Sequence, residues 1–495
     1  MSYLMGIDLG TSSVKALVID YNGNTIAIGQ EAYPISTPHE GYAEQDTEIW
    51  WKATVKSIRS VLANPEVDSS QITGIGLSGQ MHGMVLLDKR FNVIRPAIIW
   101  CDQRSKKQVE EIYRTIGRKE LGECTLNPVA TGFQTASLLW IKENEPEYYE
   151  KIYKVILPKD YIRLRLIGEI GTDITDASST LAFDTARREW SLHIIDKLGL
   201  NAEIYPDCGL PEEIAGRVTE KASQETGLKA GTIVTLGGGD QPMQAIGNGI
   251  VAVGMVSSTI GTGGQIFTPV DKPVYDPLLR THTFCNAAEN SWNIIGASLC
   301  AGLSLKWFHQ NVYQKGDFKD IDIEAEKLPP GSEGLIFLPY LTGERTPHMD
   351  PCARGVFFGL SLRHNSIHMA RAIMEGVVFA LRDSLEIFKE LGIKMDKVIA
   401  SGGGAQSGLW LEIQADVFGR EVYTTKSKEQ ACLGAAITAG IGSGVYSDIR
   451  EACKTIVKLN DRVIQPDKYR CSIYDHFYGI YRELYLRNKD LFQKL

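Results

Sequence analysis

Hydrophobic and polar positions alternate in a pattern that repeats in the two halves of the chain. Tyr3–Asp8 and Val14–Asp20 read as strands joined by the turn Gly10-Thr11-Ser12-Ser13. Tyr21-Asn22-Gly23-Asn24 turns the chain again into Thr25–Gly29. The spacing predicts a helix over Thr47–Ala63, with Ile49, Ala53, Ile58 and Leu62 on its apolar face. Strand Ile72–Leu77 ends in Ser78-Gly79-Gln80-Met81-His82-Gly83, and Met84–Leu87 and Ala97–Trp100 read as further strands. Thr135–Asn144 is helical and Tyr148–Gly168 continues the α pattern. Strand Thr232–Leu236 runs into Gly237-Gly238-Gly239-Asp240-Gln241.

The opening then recurs. Gly254–Ile260 is a β-type run, Gly261-Thr262-Gly263-Gly264 a turn and Gln265–Pro269 a returning strand, roughly 250 residues after Gly10-Thr11. Strands at Ser291–Ala297, Gly334–Pro339, Lys397–Ala400 and Arg420–Thr425 follow. Helices are predicted over Leu299–Val312, Ile367–Leu391 (Ile373, Val377, Leu381, Leu385 and Phe388 on one stripe), Gly408–Phe418 and Gln430–Gly440. Ser407 is placed to cap the third of these, and Tyr474–Leu495 reads as a docking helix. Two similar hairpins, each opening a half, imply an α/β protein of two duplicated domains facing a cleft. The boundary falls near Ile246–Gly254, giving domains 1–247 and 248–495.

Composition narrows the class. A chain of 495 residues exceeds one core, and 43% hydrophobic with 23% charged residues is ordinary globular usage. A formal charge of −8 gives no basic footprint for nucleic acid, so an anionic ligand has to be held by local donors, a few cations or a metal. Nine cysteines stand singly from Cys101 to Cys471 without a C-x-x-C, which suits a reducing cytosol. The N-terminus enters a strand at once, with no signal peptide, and no apolar run is long enough to span a membrane; a cytoplasmic protein is expected.

Chemistry concentrates at the strand ends. Three glycines before Asp240 let the backbone approach a ligand, and a carboxylate there can take a proton from a hydroxyl; a glycine-rich turn whose Asp bonds its own backbone is the other reading. The hairpin tip Gly10–Ser13 offers backbone N–H groups and hydroxyls to an anion, with Asp8 placed to face a metal, or is an ordinary polar turn. Gln80, Met81 and His82 beyond a strand end suit a hydroxylated small molecule, and a histidine next to Gly83 is expected to be free of apolar packing. His364 and His368 are four apart, but Asn365 stands where a zinc-binding helix carries glutamate. Gly402, Gly404 and Gly408 do not make a dinucleotide fingerprint, so a nicotinamide enzyme has little support, and no P-loop sequence occurs.

Five motifs in order resemble the FGGY carbohydrate kinases, of the sugar-kinase/Hsp70/actin fold, along nearly the whole chain. They are Gly6-Ile7-Asp8-Leu9-Gly10-Thr11-Ser12, Gly238-Gly239-Asp240, Gly261-Thr262, Gly355-Val356-Phe357-Phe358-Gly359-Leu360 continuing to Ala372-Ile373-Met374-Glu375, and Gly402–Ser407. Ser78–Gly83 is similar to the loop by which ketose-using members hold their sugar, where glycerol kinases carry an Arg-Glu pair. Ser137 stands where the family signature has lysine, and Gln241 where ketose-using members have asparagine; both positions bear on the identity of the sugar.

The resemblance implies two RNase H-like domains around a central ATP and sugar cleft. It implies Asp240 as general base toward a sugar hydroxyl attacking the γ-phosphorus of ATP, and Asp8 as orienting Mg²⁺ through water. Gly10, Thr11, Ser12, Gly261 and Thr262 would hold the phosphates, with Lys15 either nearby or a solvated surface lysine. Gly403, Gly404 and Ala405, with Ser407, would wall the adenosine. Gln80, Met81, His82, Asp240 and Gln241 would bind the sugar, with the 5-hydroxyl of D-xylulose as the expected acceptor. The expected partners are thus sugar and ATP, with no nucleic acid and no membrane, and a homodimer as the family's assembly. Another ketose, a polyol or a sugar acid is the alternative substrate, and an actin- or Hsp70-like switch ATPase the alternative class.

Overall fold

The computed structural model describes residues 2–288 and 290–495. Two twisted sheets form its framework. The first joins β1 (Tyr3–Leu9), β2 (Ser13–Asp20), β3 (Thr25–Ala32), β4 (Ile72–Gly79), β5 (Ile214–Arg217) and β6 (Ile233–Thr235) in the order β5-β6-β4-β1-β2-β3. The second joins β7 (Gly254–Ile260), β8 (Gly264–Val270), β9 (His282–Cys285), β10 (Trp292–Ser298), β11 (Met395–Ser401) and β12 (Val422–Thr424) in the order β9-β10-β8-β7-β11-β12. In each, an opening strand lies antiparallel to its hairpin partner and parallel to a later strand that ends in a glycine loop. The series β3-β2-β1-β4-β6 and β10-β8-β7-β11-β12 are thus the same arrangement built twice.

Parallel strands covered on both faces require apolar side chains on both sides, and β1 meets that requirement: six of its seven residues are buried, Asp8 being the partial exception. On one face lies α1 (Thr47–Leu62), which buries Trp50, Trp51, Ala53, Ile58 and Val61. The predicted face is therefore turned, because Ile49 is 38% exposed. The two indoles dictate the rotation, and Gly29 permits it, since a Cβ there would lie 2.3 Å from the Ser57 carbonyl oxygen.

The α pattern over Tyr148–Gly168 also resolves differently. Pro146–Tyr149 is one helical turn, Lys154–Ile156 is a strand antiparallel to Val85–Leu87, and α2 (Pro158–Ile167) begins at its proline. Proline cannot sit inside a helix but suits its first turn. Likewise, the helix expected over Leu299–Val312 starts at Gly302 and ends in a wider turn, His309–Tyr313.

Short α3 (Asp240–Gly247) leads out of the first half. The long α4 (Ser366–Glu390) is buried on nearly every side of the second, its start capped by Asn365 with His368 completing the reciprocal bonds. After α5 (Gly408–Phe418), α6 (Gln430–Gly442) does not stay with its own sheet. It packs on β1, β4 and α3. A Cβ at Gly6 would stand 1.8 Å from the Cys432 carbonyl oxygen, and one at Gly76 1.8 Å from that of Ala435. The halves are thereby joined backbone to backbone. The C-terminal α7 (Lys468–Phe492) docks through hydroxyls as well as rings: Tyr474, Tyr478, Tyr481 and Tyr485 bond Glu375, Asp383, Tyr340 and Asp350. No helix among the described residues is long and apolar enough to cross a membrane.

Candidate active site

The carboxyl ends of β1 and β4 and the start of α3 meet at one point. Gly237 takes φ +72°, and a Cβ there would fall 2.2 Å from the Leu77 carbonyl oxygen. Gly238 and Gly239 then pair in parallel with Ser78 and Gly79, so the triple glycine is a strand edge pressed against β4 rather than a loose turn. It delivers Asp240 as the first residue of α3. Asp8 pairs across the ladder with Ser78, whose hydroxyl donates to its carboxylate at 2.7 Å.

The Asp240 carboxyl feels the charge of Asp8. Burial, and then the charge of Asp8, push Asp240 up to about 7, against hydrogen bonds from Gln241. Burial also raises Asp8, against the pull of the Ser78 hydroxyl and Lys15. A carboxyl that ionises near neutrality is matched to accept a proton in catalysis. Gln241 lies at the Asp240 carboxylate itself, as its sequence position suggests.

The first hairpin tip is tied down from outside. Gly10 N–H donates to the Ser13 carbonyl at 3.0 Å, and Gln45 donates to the Thr11 carbonyl at 2.8 Å. Trp100 donates its indole N–H to the Thr11 hydroxyl at 2.9 Å, which leaves that hydroxyl's own proton for a ligand. Ser12 stands exposed. The second tip is held alike: Gly261 N–H bonds the Gly263 carbonyl at 2.9 Å, while Ala301 and Leu303 donate to the Thr262 carbonyl. Lys15, opposite Asp8 on β2, reaches Glu429 at the start of α6 at 2.5 Å. Its charge is therefore shared with a carboxylate from the other half.

Beyond the second hairpin lies a cavity of about 470 Å³, lined by Gly261, Phe318, Asp322, Gly403, Gly404 and Ser407 among others. Gly404 is required there, since a Cβ would lie 2.6 Å from that of Ile260. Ser407 caps α5 by accepting from the Trp410 N–H at 3.0 Å. Ala405 differs from expectation: it packs against the core and does not line the cavity.

On the opposite side, Gln80 is buried and donates to Gln45 at 3.0 Å, while its own carbonyl oxygen has no partner among the described residues. Met81 lies over Gly239. His82 takes φ +67° and is not free of apolar packing, for its ring sits 4.1 Å from that of Phe133 and 5.8 Å from that of Phe284. The aromatic neighbours come from distant segments that no local pattern reveals. His82 Nδ1 lies 2.9 Å from the Ser179 carbonyl, which can only accept, so Nδ1 carries the proton. Burial pushes the ring down to about 4, leaving it neutral with Nε2 as an acceptor for a hydroxyl.

Behind the site lies a fully buried cluster absent from the sequence reading. Lys159 Nζ reaches Asp160 at 2.6 Å, Asp173 at 3.1 Å and Asp176 at 3.2 Å. Arg163 joins Asp160 at 2.9 Å and also donates to the Leu236 carbonyl. Thr175, bonded to Asp173, accepts the Gly239 N–H at 3.0 Å. The cluster thus fixes the strand edge that carries Asp240. Its only local signal is a lysine and three aspartates in otherwise apolar segments.

Two carboxyls at the strand ends of the first sheet, a hairpin tip opening each half and a cavity of about 470 Å³ beside the second tip make up the candidate site. The chain matches the model for the FGGY family of carbohydrate kinases, N-terminal domain, over residues 3–247 and that for the C-terminal domain over residues 256–443. It belongs to that family and is an ATP-dependent carbohydrate kinase. A xylulose kinase of Bacillus subtilis (strain 168) is 36% identical over 491 residues, 99% of this chain and 98% of that protein. Among solved structures, a "xyloylose kinase" from Brucella ovis superposes with a TM-score of 0.92 at 36% identity, covering 99% of this chain and 100% of that one. A gluconate kinase from Lactobacillus acidophilus gives 0.94 at 27% identity, covering 100% and 99%.

Proposed function

We propose that this chain transfers the γ-phosphoryl group of ATP to the 5-hydroxyl of D-xylulose. The observation that carries this reading is the Asp240 carboxyl, held near neutrality beside the Gln80–His82 loop, in a chain similar end to end to xylulose kinases. ATP would lie with adenosine against Gly403 and Gly404 and its phosphates between the tips Gly10–Ser12 and Gly261–Thr262. Phosphoryl transfer passes through a loose, highly charged transition state, so positioning and charge stabilisation supply most of the acceleration.

Asp240 would take the proton of the attacking hydroxyl, and neutral His82 would accept a hydrogen bond from another hydroxyl through Nε2. Gln241 would hold the Asp240 carboxylate toward the sugar. Two buried carboxyls, both held above their ordinary values and one of them raised by the charge of the other, suit a divalent cation brought with ATP, and Asp8 is the residue to hold it through water. Magnesium, when bound, neutralises charge on the phosphoryl oxygens. The cysteine pattern, all nine thiols free, supports a reducing cytosol as the site of action.

A second reading, a sugar acid as acceptor, is favoured by the likeness to the gluconate kinase. The deciding experiment is ADP production with ATP and Mg²⁺ against D-xylulose, L-xylulose, D-ribulose, L-ribulose, erythrulose, glycerol, gluconate and no sugar. Selective turnover of D-xylulose is expected. Preference for another acceptor moves the substrate, and hydrolysis indifferent to every sugar overturns the kinase reading.

A further inference from the structure

The first hairpin tip and the Gln80–His82 loop are joined through one buried side chain. Gln45, 2% exposed, lies in the two-residue strand Glu44–Gln45, which pairs with Ala97–Ile98. Its amide is filled on every side. Nε2 donates to the Thr11 carbonyl at 2.8 Å and to the Pro34 carbonyl at 3.3 Å. Oε1 accepts from the Trp50 indole at 3.0 Å and from Gln80 Nε2 at 3.0 Å. Two N–H donors and two lone pairs are all that the group has. An indole N–H can only donate and a backbone carbonyl can only accept, so the amide fits one way round.

That orientation is passed on at both ends. Gln80, 1% exposed, has to turn its nitrogen toward Gln45, and its own carbonyl oxygen is left buried and without a partner among the described residues. A buried acceptor with no donor is costly, and a hydroxyl is a group that fills it. The Gln80 backbone is fixed too, since its N–H donates to the Leu9 carbonyl at 2.9 Å. On the other side, Gln45 holds the Thr11 carbonyl while Trp100, two residues beyond the strand that pairs with Gln45, holds the Thr11 hydroxyl. Pro34 carries the brace to the rest of the tip. Next to it, Tyr33 donates its hydroxyl to the Gly10 carbonyl at 2.5 Å and its N–H to the Ser12 carbonyl at 2.9 Å. Met84, just past the Gln80–Gly83 stretch, exchanges both backbone bonds with Ile98. The short ladder that carries Gln45 is thus tied to the hairpin tip and to the loop alike.

Resting on the kinase reading above, we propose that Gln45 is a positioning residue for both substrates. It sets the Thr11 tip that takes the phosphates of ATP, and it presents the Gln80 amide with its oxygen, not its nitrogen, free for a hydroxyl of the acceptor. The Gln45 amide cannot turn over without breaking four hydrogen bonds, so the two subsites are held in register before either ligand arrives. Phosphoryl transfer draws most of its acceleration from such positioning. Glutamate in place of Gln45 would still accept from Trp50 and Gln80 but would set lone pairs against the Thr11 and Pro34 carbonyls. Leucine would break all four bonds.

The test is steady-state kinetics at pH 8 of Gln45→Leu, Gln45→Glu, Gln80→Leu and the double variant Gln45→Leu with Gln80→Leu. Sugar and ATP are varied separately, with the acceptor the unaltered protein turns over best. Gln45→Leu is expected to raise both KM values at least fivefold. Gln45→Glu is expected to raise the ATP KM at least fivefold and to hold the sugar KM within threefold, because it keeps the bond from Gln80. A side chain that merely filled space would not divide the two. Because Gln45 acts on the sugar through Gln80, adding Gln45→Leu to Gln80→Leu is expected to raise the sugar KM less than twofold further. A rise below fivefold in either KM of Gln45→Leu overturns the proposal, and so does a sugar effect that persists in full beside Gln80→Leu. Should Gln45→Leu fail to fold, Gln45→Glu decides alone, and an ATP KM raised less than fivefold or no more than the sugar KM overturns it. If the unaltered protein phosphorylates no sugar, the kinase reading itself has failed, a result distinct from these.

Discussion

Replacing Asp240 by asparagine should remove activity and add stability, with a pH signature that ties both to one carboxyl. Its folded value, about 7 against an ordinary 3.8, means the folded protein disfavours the ionised form. At about 1.4 kcal/mol for each tenfold in an ionisation constant, the ceiling on that penalty is about 4 kcal/mol. Part of it is relieved by water reaching the half-buried group, so a gain of about 1–3 kcal/mol is expected for Asp240→Asn at pH 8. The sign follows from proton uptake on folding: the penalty is complete above pH 7, shrinks as pH falls toward 4, and vanishes where both states are protonated. Asparagine cannot accept the hydroxyl proton, and general-base catalysis contributes about 10²–10⁴-fold, so turnover should fall by about that factor while ATP binding persists. Urea denaturation of both proteins at pH 5 and pH 8, beside coupled ADP assays, reads all of this. A stability gain that is the same at both pH values, or turnover within tenfold of the unaltered protein, would refute the reasoning.

The pH profile of kcat/KM for the unaltered enzyme should fall tenfold for each pH unit below about 7, as Asp240 takes up its proton, and a profile flat to pH 5.5 would count against that base. Lys159→Met leaves three buried aspartates facing only Arg163 and should cost about 3–5 kcal/mol, more at pH 8 than at pH 5 because the stranded carboxyls fold best protonated. Equal losses at both pH values in denaturant titrations would argue that packing alone is at stake. Gly76→Ala drives a methyl group into the Ala435 carbonyl and should cost about 3 kcal/mol, with loss of activity as α6 is forced off the first sheet. Gly479→Ala, mid-helix in α7 with open space around it, should instead stabilise by about 0.5–1 kcal/mol, as thermal unfolding would register.

Local pattern alone determined a good deal. Strand and hairpin signals are short-range, so the meander from Tyr3, its repeat from Gly254 and the strand entering Asp240 were legible, and with them the two-domain plan and the positions of both carboxylates. Ser407 as a cap was legible because capping is settled within three residues. Tertiary structure decided whatever depended on distant partners. Which face α1 buries was set by two indoles meeting a sheet, and the break at Pro158 by a strand finding its partner at Val85–Leu87. That His82 is a neutral, aromatic-packed acceptor depends on Phe133, Ser179 and Phe284, which lie 51, 97 and 202 residues along the chain. The part played by Lys159 was not legible, although a lysine and three aspartates in apolar segments hinted at it, because charge has meaning only once its neighbours are known: three aspartates bury it.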